Sequence, residues 1–248
     1  MGTKTPLAAV ILAAGKSTRM NLLPKATIIV AGKPMGQRVL EAVKSVAPQE
    51  VVVVVGHQAE QAKAVFGDEC KFALQQPQLG TAHALQMSEP HLAGFSGDLL
   101  VVNTDHPLIS RQDLQNLLSH HRESGAAASL LTWQRTEEMA YGRIIRDAAG
   151  QVIDIVEVKD ATPEQLALRE VNLSMYCFAA PLIFEVLRQI RSENAQNEFY
   201  LTDAIGLLAR AGQKVEAVAA RNPETGFGVN TPEELARAEA CLQQSQAL

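Results

Sequence analysis

The chain has 248 residues, 47% of them hydrophobic and 20% charged, which is typical of a globular protein with one large α/β unit or two small ones. Its formal net charge of −5 argues against a nucleic-acid groove, and no apolar run reaches the roughly 20 residues of a membrane-spanning helix, so we expect neither partner. Three scattered cysteines without a CxxC pair, and no signal-peptide pattern, predict a cytoplasmic protein without disulfides or a zinc site.

The first half alternates short β-branched segments with amphipathic, helix-length ones. Strands are predicted over Leu7–Ala14, Val51–Val55, Lys71–Leu74 and Leu99–Asn103. Helices are predicted over Gly36–Ala47, Gln58–Phe66, Gly80–Met87 and Arg111–Glu123. This βαβα order predicts an α/β fold with a parallel, doubly wound sheet, in which ligands bind at the carboxyl ends of the strands.

The second half is less regular. Strands are predicted over Ala126–Trp133, Gly142–Arg146, Gln151–Val156, Val171–Ala179 and Lys214–Val218, the second and third pairing through a turn at Asp147–Gly150. Helices are predicted over Leu182–Arg191, Tyr200–Ala211 and Thr231–Gln244, with Thr231 as the N-cap of the last. We expect one domain over 1–248, with a mostly β insertion around 133–180.

A glycine loop follows the first predicted strand, with the sequence Leu12-Ala13-Ala14-Gly15-Lys16-Ser17-Thr18-Arg19-Met20 and then Pro24-Lys25. Small residues let a ligand approach the backbone, and three nearby cations, Lys16, Arg19 and Lys25, suit a triphosphate pocket. The loop is not a P-loop, because Val10 stands where the first glycine is required, and it does not match GxGxxG either. The alternative is a solvated loop whose lysines serve only solubility.

Two oxygen-bearing side chains are candidates for holding Mg²⁺. Asp105 follows the strand Leu99–Asn103 and should lie at the same sheet edge as Gly15, where a carboxylate is a suitable ligand. Asn230 could add a carbonyl oxygen. The alternatives are a turn-capping Asp and a simple turn before the last helix. For the histidines, including His83 and His120-His121, the absence of a partner at metal-ligand spacing favours structural roles.

Taken together, the motifs resemble those of the sugar-nucleotide pyrophosphorylase family, and within it the uridylyltransferase domains of bacterial N-acetylglucosamine-1-phosphate uridylyltransferases. The resemblance covers nearly the whole chain. After the glycine loop, the matching segments are Gln75–Ala84, Asp105–Ile109, Tyr141–Ile144, Ile155–Ala161, Glu170–Asn172, Asn194–Asp203 and Gly228–Asn230.

The resemblance implies a Rossmann-like, doubly wound mixed sheet of the nucleotide-diphospho-sugar transferase type with a small β-rich sugar-binding lobe. In it, about 1–132 would bind the nucleotide, about 133–230 the sugar, and 231–246 would form the C-terminal helix. The implied activity joins UTP to a sugar 1-phosphate, such as N-acetylglucosamine 1-phosphate, with Mg²⁺ and release of pyrophosphate.

Roles are carried over by matching positions. The resemblance implies that the nucleotide and its phosphates contact Leu12, Ala13, Ala14, Gly15, Arg19 and Lys25, with Arg19 and Lys25 as the catalytic cations. It implies that uracil and ribose contact Gln75, Gln78, Gly80 and Thr81. It implies sugar contacts from Gly142, Glu157 and Asn172, and Mg²⁺ held by Asp105 and Asn230.

The chain departs from the family pattern at two places near the sugar. Asn103-Thr104 stand where the family usually has Tyr-Gly, and Leu173-Ser174 where it usually has Thr-Gly. Because an aromatic wall and two glycines are exchanged, the shape of the sugar pocket changes, and UTP is the better supported substrate.

Two alternatives stay open at this point. One is a nucleotidyltransferase that uses CTP or another NTP on a different acceptor, such as an alcohol phosphate or a pterin cofactor. The other is a non-catalytic nucleotide-sugar sensor. No hexapeptide repeat follows the last predicted helix, so we expect no acetyltransferase activity and no trimer contacts from a β-helix. The oligomeric state is not predicted.

Overall fold

The computed structural model of this chain describes residues 5–15, 23–136, 140–222 and 224–246. In its first half the strands are β1 (Leu7–Ala13), β2 (Ile29–Val30), β3 (Lys33–Pro34), β4 (Glu50–Val55), β5 (Lys71–Leu74) and β6 (Asp98–Asn103). The helices are α1 (Met35–Lys44), α2 (Ala59–Phe66), α3 (Thr81–Met87) and α4 (Arg111–Ser124). Every strand and helix predicted for this half is confirmed to within about three residues at either end.

In the second half the strands are β7 (Ala128–Gln134), β8 (Arg143–Arg146), β9 (Val152–Val156), β10 (Glu170–Ala179) and β11 (Val215–Ala219). The helices are α5 (Pro163–Leu166), α6 (Ala180–Leu187), α7 (Asp203–Arg210) and α8 (Pro232–Gln246). The helix predicted over Leu182–Arg191 lies at Ala180–Leu187 instead. It begins earlier because Pro181 stands in its first turn, a position that proline favours, and it ends at Leu187.

Nine of the described strands form one sheet, whose main path runs β11-β7-β10-β6-β1-β4-β5. Strands β6, β1, β4 and β5 are parallel to one another, with Val10 of β1 level with Val52 of β4 and Val101 of β6. Strand β10 runs antiparallel between β6 and β7, and β11 is parallel to β7. The sheet is therefore mixed, as the resemblance implied, and the parallel arrangement predicted from the βαβα order of the first half is confirmed for β6, β1, β4 and β5.

Alternate residues of the central strands point to opposite faces, and both faces are buried. Val10 and Val52 belong to one apolar cluster, which helices α3, α6 and α7 cover. Ile11 and Val53 belong to a second cluster, which α1, α2 and α4 cover. This arrangement explains why the valines of β4 form an uninterrupted run, since parallel strands buried on both faces have no polar side.

The β-rich segment stands beside the main sheet rather than as a separate unit. Strands β8 and β9 form the expected hairpin, and β8 contacts β10 at the pair Arg143 and Val171. Strands β7 and β10 belong to the main path of the sheet. The part of the β-rich segment outside that path is therefore β8, β9 and the short helix α5. The division into nucleotide-binding and sugar-binding parts stays a prediction.

A bulge interrupts β10 where it passes the site. Its register against β7 shifts between Asn172 and Tyr176, and Ser174 inside the bulge has a φ of 57°. The Asn172 side chain accepts a hydrogen bond from the Ser174 backbone N–H at 3.0 Å and thereby supports this left-handed conformation. Bulges re-aim the side chains near them, and this one lies beside the cavities of the candidate site.

The last helix begins with a capping box. The Thr231 hydroxyl accepts from the Glu234 backbone N–H at 3.2 Å, and the Glu234 carboxylate accepts from the Thr231 backbone N–H at 3.0 Å. The predicted N-cap is therefore confirmed. Among the described residues, no helix is both long enough and apolar enough to span a membrane.

Candidate active site

A cavity of about 400 Å³ opens at the carboxyl edge of the parallel strands. Apart from the two cations, the eight residues that the resemblance assigned to the nucleotide and its phosphates all line it: Leu12, Ala13, Ala14, Gly15, Gln75, Gln78, Gly80 and Thr81. Lys25 and Asp105 line the same cavity. The structure thus brings segments that are up to about ninety residues apart to the edge where doubly wound sheets bind ligands. Arg19 and Lys16 lie outside the described residues.

The described part of the glycine loop, Leu12 to Gly15, is fixed at the Ala14 carbonyl. The Gln78 amide donates to the Ala14 carbonyl at 2.7 Å. A Cβ on Gly56, which directly follows β4, would lie 2.5 Å from the Gln78 Nε2 and 2.6 Å from the Ala14 oxygen, so only glycine fits there. A Cβ on Gly15 would meet no described atom within 4 Å. The Gln78 amide and Gly56 therefore fill the space behind Ala14, and among the described residues no atom lies close over Gly15.

Gln75 is buried, and its amide is oriented by two contacts. Its Nε2 donates to the Gly80 carbonyl at 2.9 Å and lies 3.1 Å from the His83 Nδ1. Burial lowers the pKa of His83, so the neutral ring can accept this hydrogen bond. His83 thus has the structural role expected for it, and it orients a glutamine that faces the cavity.

The segment before α7 closes one side of the cavity. Gly80 has a φ of 116°, and a Cβ there would lie 2.5 Å from the Phe199 carbonyl oxygen. The Thr81 hydroxyl accepts from the Leu201 backbone N–H at 2.9 Å, and Glu198 lines the cavity. These contacts require glycine at position 80 and attach the segment to the amino end of α3.

Lys25, Asp105 and Asn230 form a cluster at the wall of the cavity. The Lys25 Nζ lies 2.6 Å from the Asp105 Oδ2 and 2.6 Å from the Asn230 Oδ1. Lys25 is the first residue of a short 3-10 turn, and its backbone carbonyl accepts a hydrogen bond from the Ile28 N–H at 3.1 Å. Burial raises the pKa of Asp105, but the Lys25 ammonium, together with His106 and hydrogen bonds, outweighs it and brings the pKa to about 2, so the carboxylate is charged at neutral pH.

The second oxygen of Asp105 has an unusual environment. Its Oδ1 is buried and accepts no hydrogen bond from the described residues, although the His106 Nε2 lies 3.4 Å away. The His106 Nδ1 lies 3.1 Å from the Gly226 carbonyl, which can only accept, so this nitrogen carries the proton. Burial lowers the pKa of His106, so the ring is neutral and its Nε2 has no proton to donate.

This arrangement fits a divalent cation. A buried carboxylate oxygen without a donor and an amide oxygen from Asn230 are the hard oxygen ligands that Mg²⁺ prefers, and few protein ligands are needed when phosphates supply others. The donor set of Asp105 and Asn230 therefore suits Mg²⁺.

Asn230 is brought to Asp105 by a loop fixed at several points. The Asp105 carbonyl accepts from the Val229 N–H at 2.8 Å, and the Glu234 carboxylate accepts from the Asn230 N–H at 2.6 Å. The Tyr141 hydroxyl donates to the Gly226 carbonyl and accepts from the Gly228 N–H, both at 2.9 Å. The capping box of α8 and one tyrosine thus position the candidate metal ligand.

The three residues assigned to the sugar lie close together. The Gly142 carbonyl accepts from the Asn172 N–H at 2.9 Å, and both Glu157 carboxylate oxygens lie 3.5 Å from where a Gly142 Cβ would stand. Burial raises the pKa of Glu157, whose carboxylate accepts from the Thr202 hydroxyl at 3.1 Å.

A second cavity of about 490 Å³ adjoins the first and shares Asn103 and Asp105 with it. Asn172 and Asn230 line this cavity, whereas Gly142 and Glu157 line neither of the two. The structure therefore brings Asn172 to the cavity wall and leaves the roles of the other two as predictions.

The residues at the two departures from the family pattern are structurally engaged. Thr104 is buried, and its hydroxyl donates to the Leu12 carbonyl at 3.0 Å, which links the end of β6 to the end of β1. Leu173 is buried, and a Cβ on Gly226 would lie 2.3 Å from its side chain. Leu173 thus supports the loop that carries Asn230.

Sequence reasoning missed four residues of the site: Gly56, Tyr141 in its hydrogen-bonding role, Thr104 as a link between strands, and Glu198. The position of Gly56 directly after five valines was a usable signal, because a glycine at the carboxyl end of a buried parallel strand indicates close approach. Tyr141 and Thr104 act through contacts with distant segments, which no local pattern indicates, and Glu198 is identified only by its place at the cavity wall.

A second group of potential ligands, Asp98, His121 and Cys177, is buried at the opposite end of β6. Asp98 accepts from the Arg122 Nε at 2.6 Å, and the His121 Nδ1 lies 2.9 Å from the Ser129 hydroxyl. Burial raises the pKa of the Cys177 thiol well above its usual range. We interpret this group as a structural network. The three cysteines are free thiols, Cys241 half-buried and the others buried.

Comparison with known proteins agrees with this geometry. Residues 9–203 match the MobA-like NTP transferase domain. The bifunctional protein GlmU of Pelotomaculum thermopropionicum is 46% identical over 239 residues, which cover 96% of this chain and 52% of that protein. GlmU of Streptococcus equi subsp. zooepidemicus is 43% identical over 237 residues, covering 95% and 52%. The chain spans about half the length of the curated relatives it matches.

Solved structures share the fold. A UDP-glucose pyrophosphorylase crystallised with UDP-glucose superposes with a TM-score of 0.78 at 20% identity, covering 97% of this chain and 99% of that one. The apo form of a UDP-glucose pyrophosphorylase gives a TM-score of 0.75 at 18% identity. The fold is therefore that of a nucleotide-diphospho-sugar transferase, and by its sequence this chain belongs to the MobA-like NTP transferase domain family.

Proposed function

We propose that this chain joins a sugar 1-phosphate to UTP in a Mg²⁺-dependent reaction that releases pyrophosphate. The observation that carries the proposal is one cavity in which the glycine loop, Gln75, Gln78 and the cluster of Lys25, Asp105 and Asn230 come together at the sheet edge. The sequence motifs and the relatives support the same activity.

The choice of UTP and a sugar phosphate is supported by two arguments. The segment Gln75–Ala84 resembles the uracil-reading motif of the pyrophosphorylases, and the structure has its two glutamines at the cavity wall. A protein of the same fold, UDP-glucose pyrophosphorylase, was crystallised with a UDP-sugar. N-acetylglucosamine 1-phosphate is the first acceptor to test, since the GlmU relatives are the more similar in sequence.

The reaction needs alignment and charge neutralisation more than acid–base groups. A phosphate oxygen of the sugar phosphate attacks the α-phosphorus, the bond from that phosphorus to the bridging oxygen breaks, and pyrophosphate leaves with the electron pair. Because the attacking phosphate is already anionic, no general base is required. The chain must hold two like-charged reactants in line and stabilise the charge that builds up between them.

The residues of the site divide this work. The backbone from Leu12 to Gly15 and the amides of Gln75 and Gln78 would hold the nucleotide. Lys25 would neutralise phosphate charge from the cavity wall, and Arg19 is the second cation in this proposal. Asn172, in the adjoining cavity, would contact the acceptor.

Asp105 and Asn230 would hold Mg²⁺, for which their oxygens are suited. When bound, the ion would supply a Lewis acid that draws charge from the phosphate oxygens. In this proposal the protein's own task is to keep the two oxygens together, which the Glu234 and Tyr141 contacts with the 226–230 loop achieve.

The test is pyrophosphate release measured across a panel of nucleoside triphosphates and sugar 1-phosphates with Mg²⁺. We expect release with UTP and at least one sugar 1-phosphate, and mass spectrometry should detect the UDP-sugar. Release with CTP and an alcohol phosphate or a pterin instead would favour the alternative acceptor class. If no pair gives product but a UDP-sugar binds, the chain is a sensor and the proposal is wrong.

A further inference from the structure

The Lys25 ammonium lies against both candidate metal ligands: it contacts the side-chain oxygen of Asn230 and the second carboxylate oxygen of Asp105, beside the Oδ1 that has no donor among the described residues. It is 2.6 Å from the Asp105 Oδ2 and 2.6 Å from the Asn230 Oδ1. A cation already lies between the two ligands, and both charged side chains are about four-fifths buried, at 19% and 20% exposure. An ammonium and a divalent cation repel each other, so the Lys25 ammonium at this distance disfavours a metal ion on the same two side chains.

From this geometry we propose that Lys25 is an internal competitor of the metal ion. In the nucleotide-free protein it keeps Asp105 and Asn230 together and closed to the ion, and nucleotide phosphates release it. The inference rests on the proposed function, because the nucleotide is what gives Lys25 another anionic partner.

The backbone around Lys25 allows such an exchange. The Thr27 N–H donates to the Pro24 carbonyl at 2.9 Å and the Ile28 N–H to the Lys25 carbonyl at 3.1 Å, so the turn is fixed. The side chain, in contrast, is a flexible four-carbon stem with a compact charge at its end. The ammonium can therefore move between partners while the turn stays in place.

The other anionic partner of Lys25, the phosphates of a bound nucleotide, would lie in the same cavity. Lys25 and Asp105 line the cavity that also contains the glycine loop from Leu12 to Gly15. Phosphates bound against that loop would bring negative charge to the same wall. Lys25 could then change from the carboxylate to a phosphate, and the vacated Asp105 oxygen would become available to the ion that accompanies the nucleotide.

The arrangement has a measurable consequence for metal binding without nucleotide. If Lys25 holds the two oxygens in about 90% of molecules, the site is open in about one tenth, and the apparent metal affinity is weakened about tenfold. Removing the ammonium should abolish this competition. Metal and nucleotide should therefore bind together in the wild type, and the metal should bind more readily alone in the variant.

The experiment is titration of nucleotide-free protein with Mn²⁺, with the free ion followed by electron paramagnetic resonance. Lys25→Met keeps the stem and removes the charge, and we expect it to bind Mn²⁺ about tenfold more tightly than the wild type. Adding Asp105→Asn to this variant should remove the gain if the ion binds at Asp105. Lys25→Gln is the second variant if Lys25→Met does not fold, as judged by circular dichroism.

Arg237→Gln is the matched control for a general charge effect. Arg237 lines the second cavity with Asp105 and Asn230, and its guanidinium lies 4.9 Å over the Phe227 ring. We expect this variant to bind Mn²⁺ within about twofold of the wild type. Equal tightening by Arg237→Gln, or unchanged Mn²⁺ affinity in folded Lys25→Met and Lys25→Gln, would overturn the proposal.

The result is separable from the proposed function, since it needs no turnover. If Lys25→Met tightens Mn²⁺ binding but no triphosphate and sugar phosphate give product, the competition stands and the proposed function fails. If the wild type turns over normally and its Mn²⁺ affinity equals that of Lys25→Met, the competition is wrong and the function stands.

Discussion

Asp105→Asn is the substitution that tests the candidate site most directly. It keeps the size of the side chain and removes the charge that faces Lys25 at 2.6 Å. Strand β6 offers a matched control at its other end, where Asp98 accepts from Arg122 at the same distance. The two variants lose the same kind of ion pair, one at the cavity and one away from it.

The expected cost to stability follows from the pKa of Asp105. Burial raises this pKa, the Lys25 ammonium together with His106 and hydrogen bonds lowers it by more, and the value falls from 3.8 to about 2. The difference corresponds to about 2 kcal/mol at 1.36 kcal/mol per pKa unit. Partial exposure of both side chains reduces it to about 1–2 kcal/mol. This stability is present above pH 3.8 and is lost as the pH falls toward 2.

The assay compares unfolding and turnover for both variants at pH 7. Asp105→Asn should lower the melting temperature by about 3–6 °C and reduce kcat by about 10² to 10³, by analogy with the loss of one preorganised group at a charged transition state. Asp98→Asn should lose about 1–3 kcal/mol of stability, because it leaves Arg122 without its partner. Its turnover per folded molecule should stay within about threefold of the wild type.

Two results would refute this reasoning. Turnover of Asp105→Asn near that of the wild type would remove Asp105 from the catalytic machinery. A loss of turnover in folded Asp98→Asn as large as in Asp105→Asn would show that any disturbance of β6 has the same effect.

Three further substitutions test other parts of the molecule. Gly56→Ala would bring a Cβ 2.6 Å from the Ala14 oxygen, so isothermal titration should show weaker nucleotide binding, by tenfold or more, and an unchanged affinity would contradict the close-approach argument. Protonation of Glu157 below its raised pKa should increase the wild-type KM for the sugar phosphate. Glu157→Gln should have a higher KM at neutral pH and should not show this increase at low pH. The same pH profile of KM in both proteins would exclude an ionised Glu157 as a sugar contact. Burial and neighbouring carboxylates raise the pKa of Asp203 to about 6, so this group makes the wild type less stable as the pH rises from about 4 to 6. Asp203→Asn should therefore melt at a higher temperature than the wild type at pH 8 and at the same temperature at pH 4. Equal melting temperatures of the two proteins at both pH values would argue against this carboxyl cluster.

Much of the fold was predictable because its signals are local. The run Val51–Val55 and the alternating amphipathic segments predicted strands and helices that the structure contains, since burial on both faces imposes apolar residues on a parallel strand. The Thr231 cap was predicted for the same reason, because a capping box involves only four consecutive residues. The two-residue strands β2 and β3 were missed, being too short to produce a period.

The sheet order was not predictable from local patterns. Strand β10 inserts antiparallel between β6 and β7, and this pairing depends on contacts between residues 75 to 81 positions apart for β6 and 36 to 50 positions apart for β7. The same is true of the bulge at Ser174, whose left-handed backbone is a poor choice for serine and is stabilised by the Asn172 side chain. Tertiary packing decides such features.

The sequence alone determined which chemical groups the site contains: a glycine loop after the first strand, cations beside it, and Asp105 after a strand that had to end at the ligand-binding edge. Only the tertiary structure decided that Lys25 meets both Asp105 and Asn230, which are 80 and 205 residues away in the chain, and that its ammonium therefore lies on the candidate metal ligands. The physical reason is that residue types follow from local backbone and burial, whereas their contacts follow from the order in which distant strands pair.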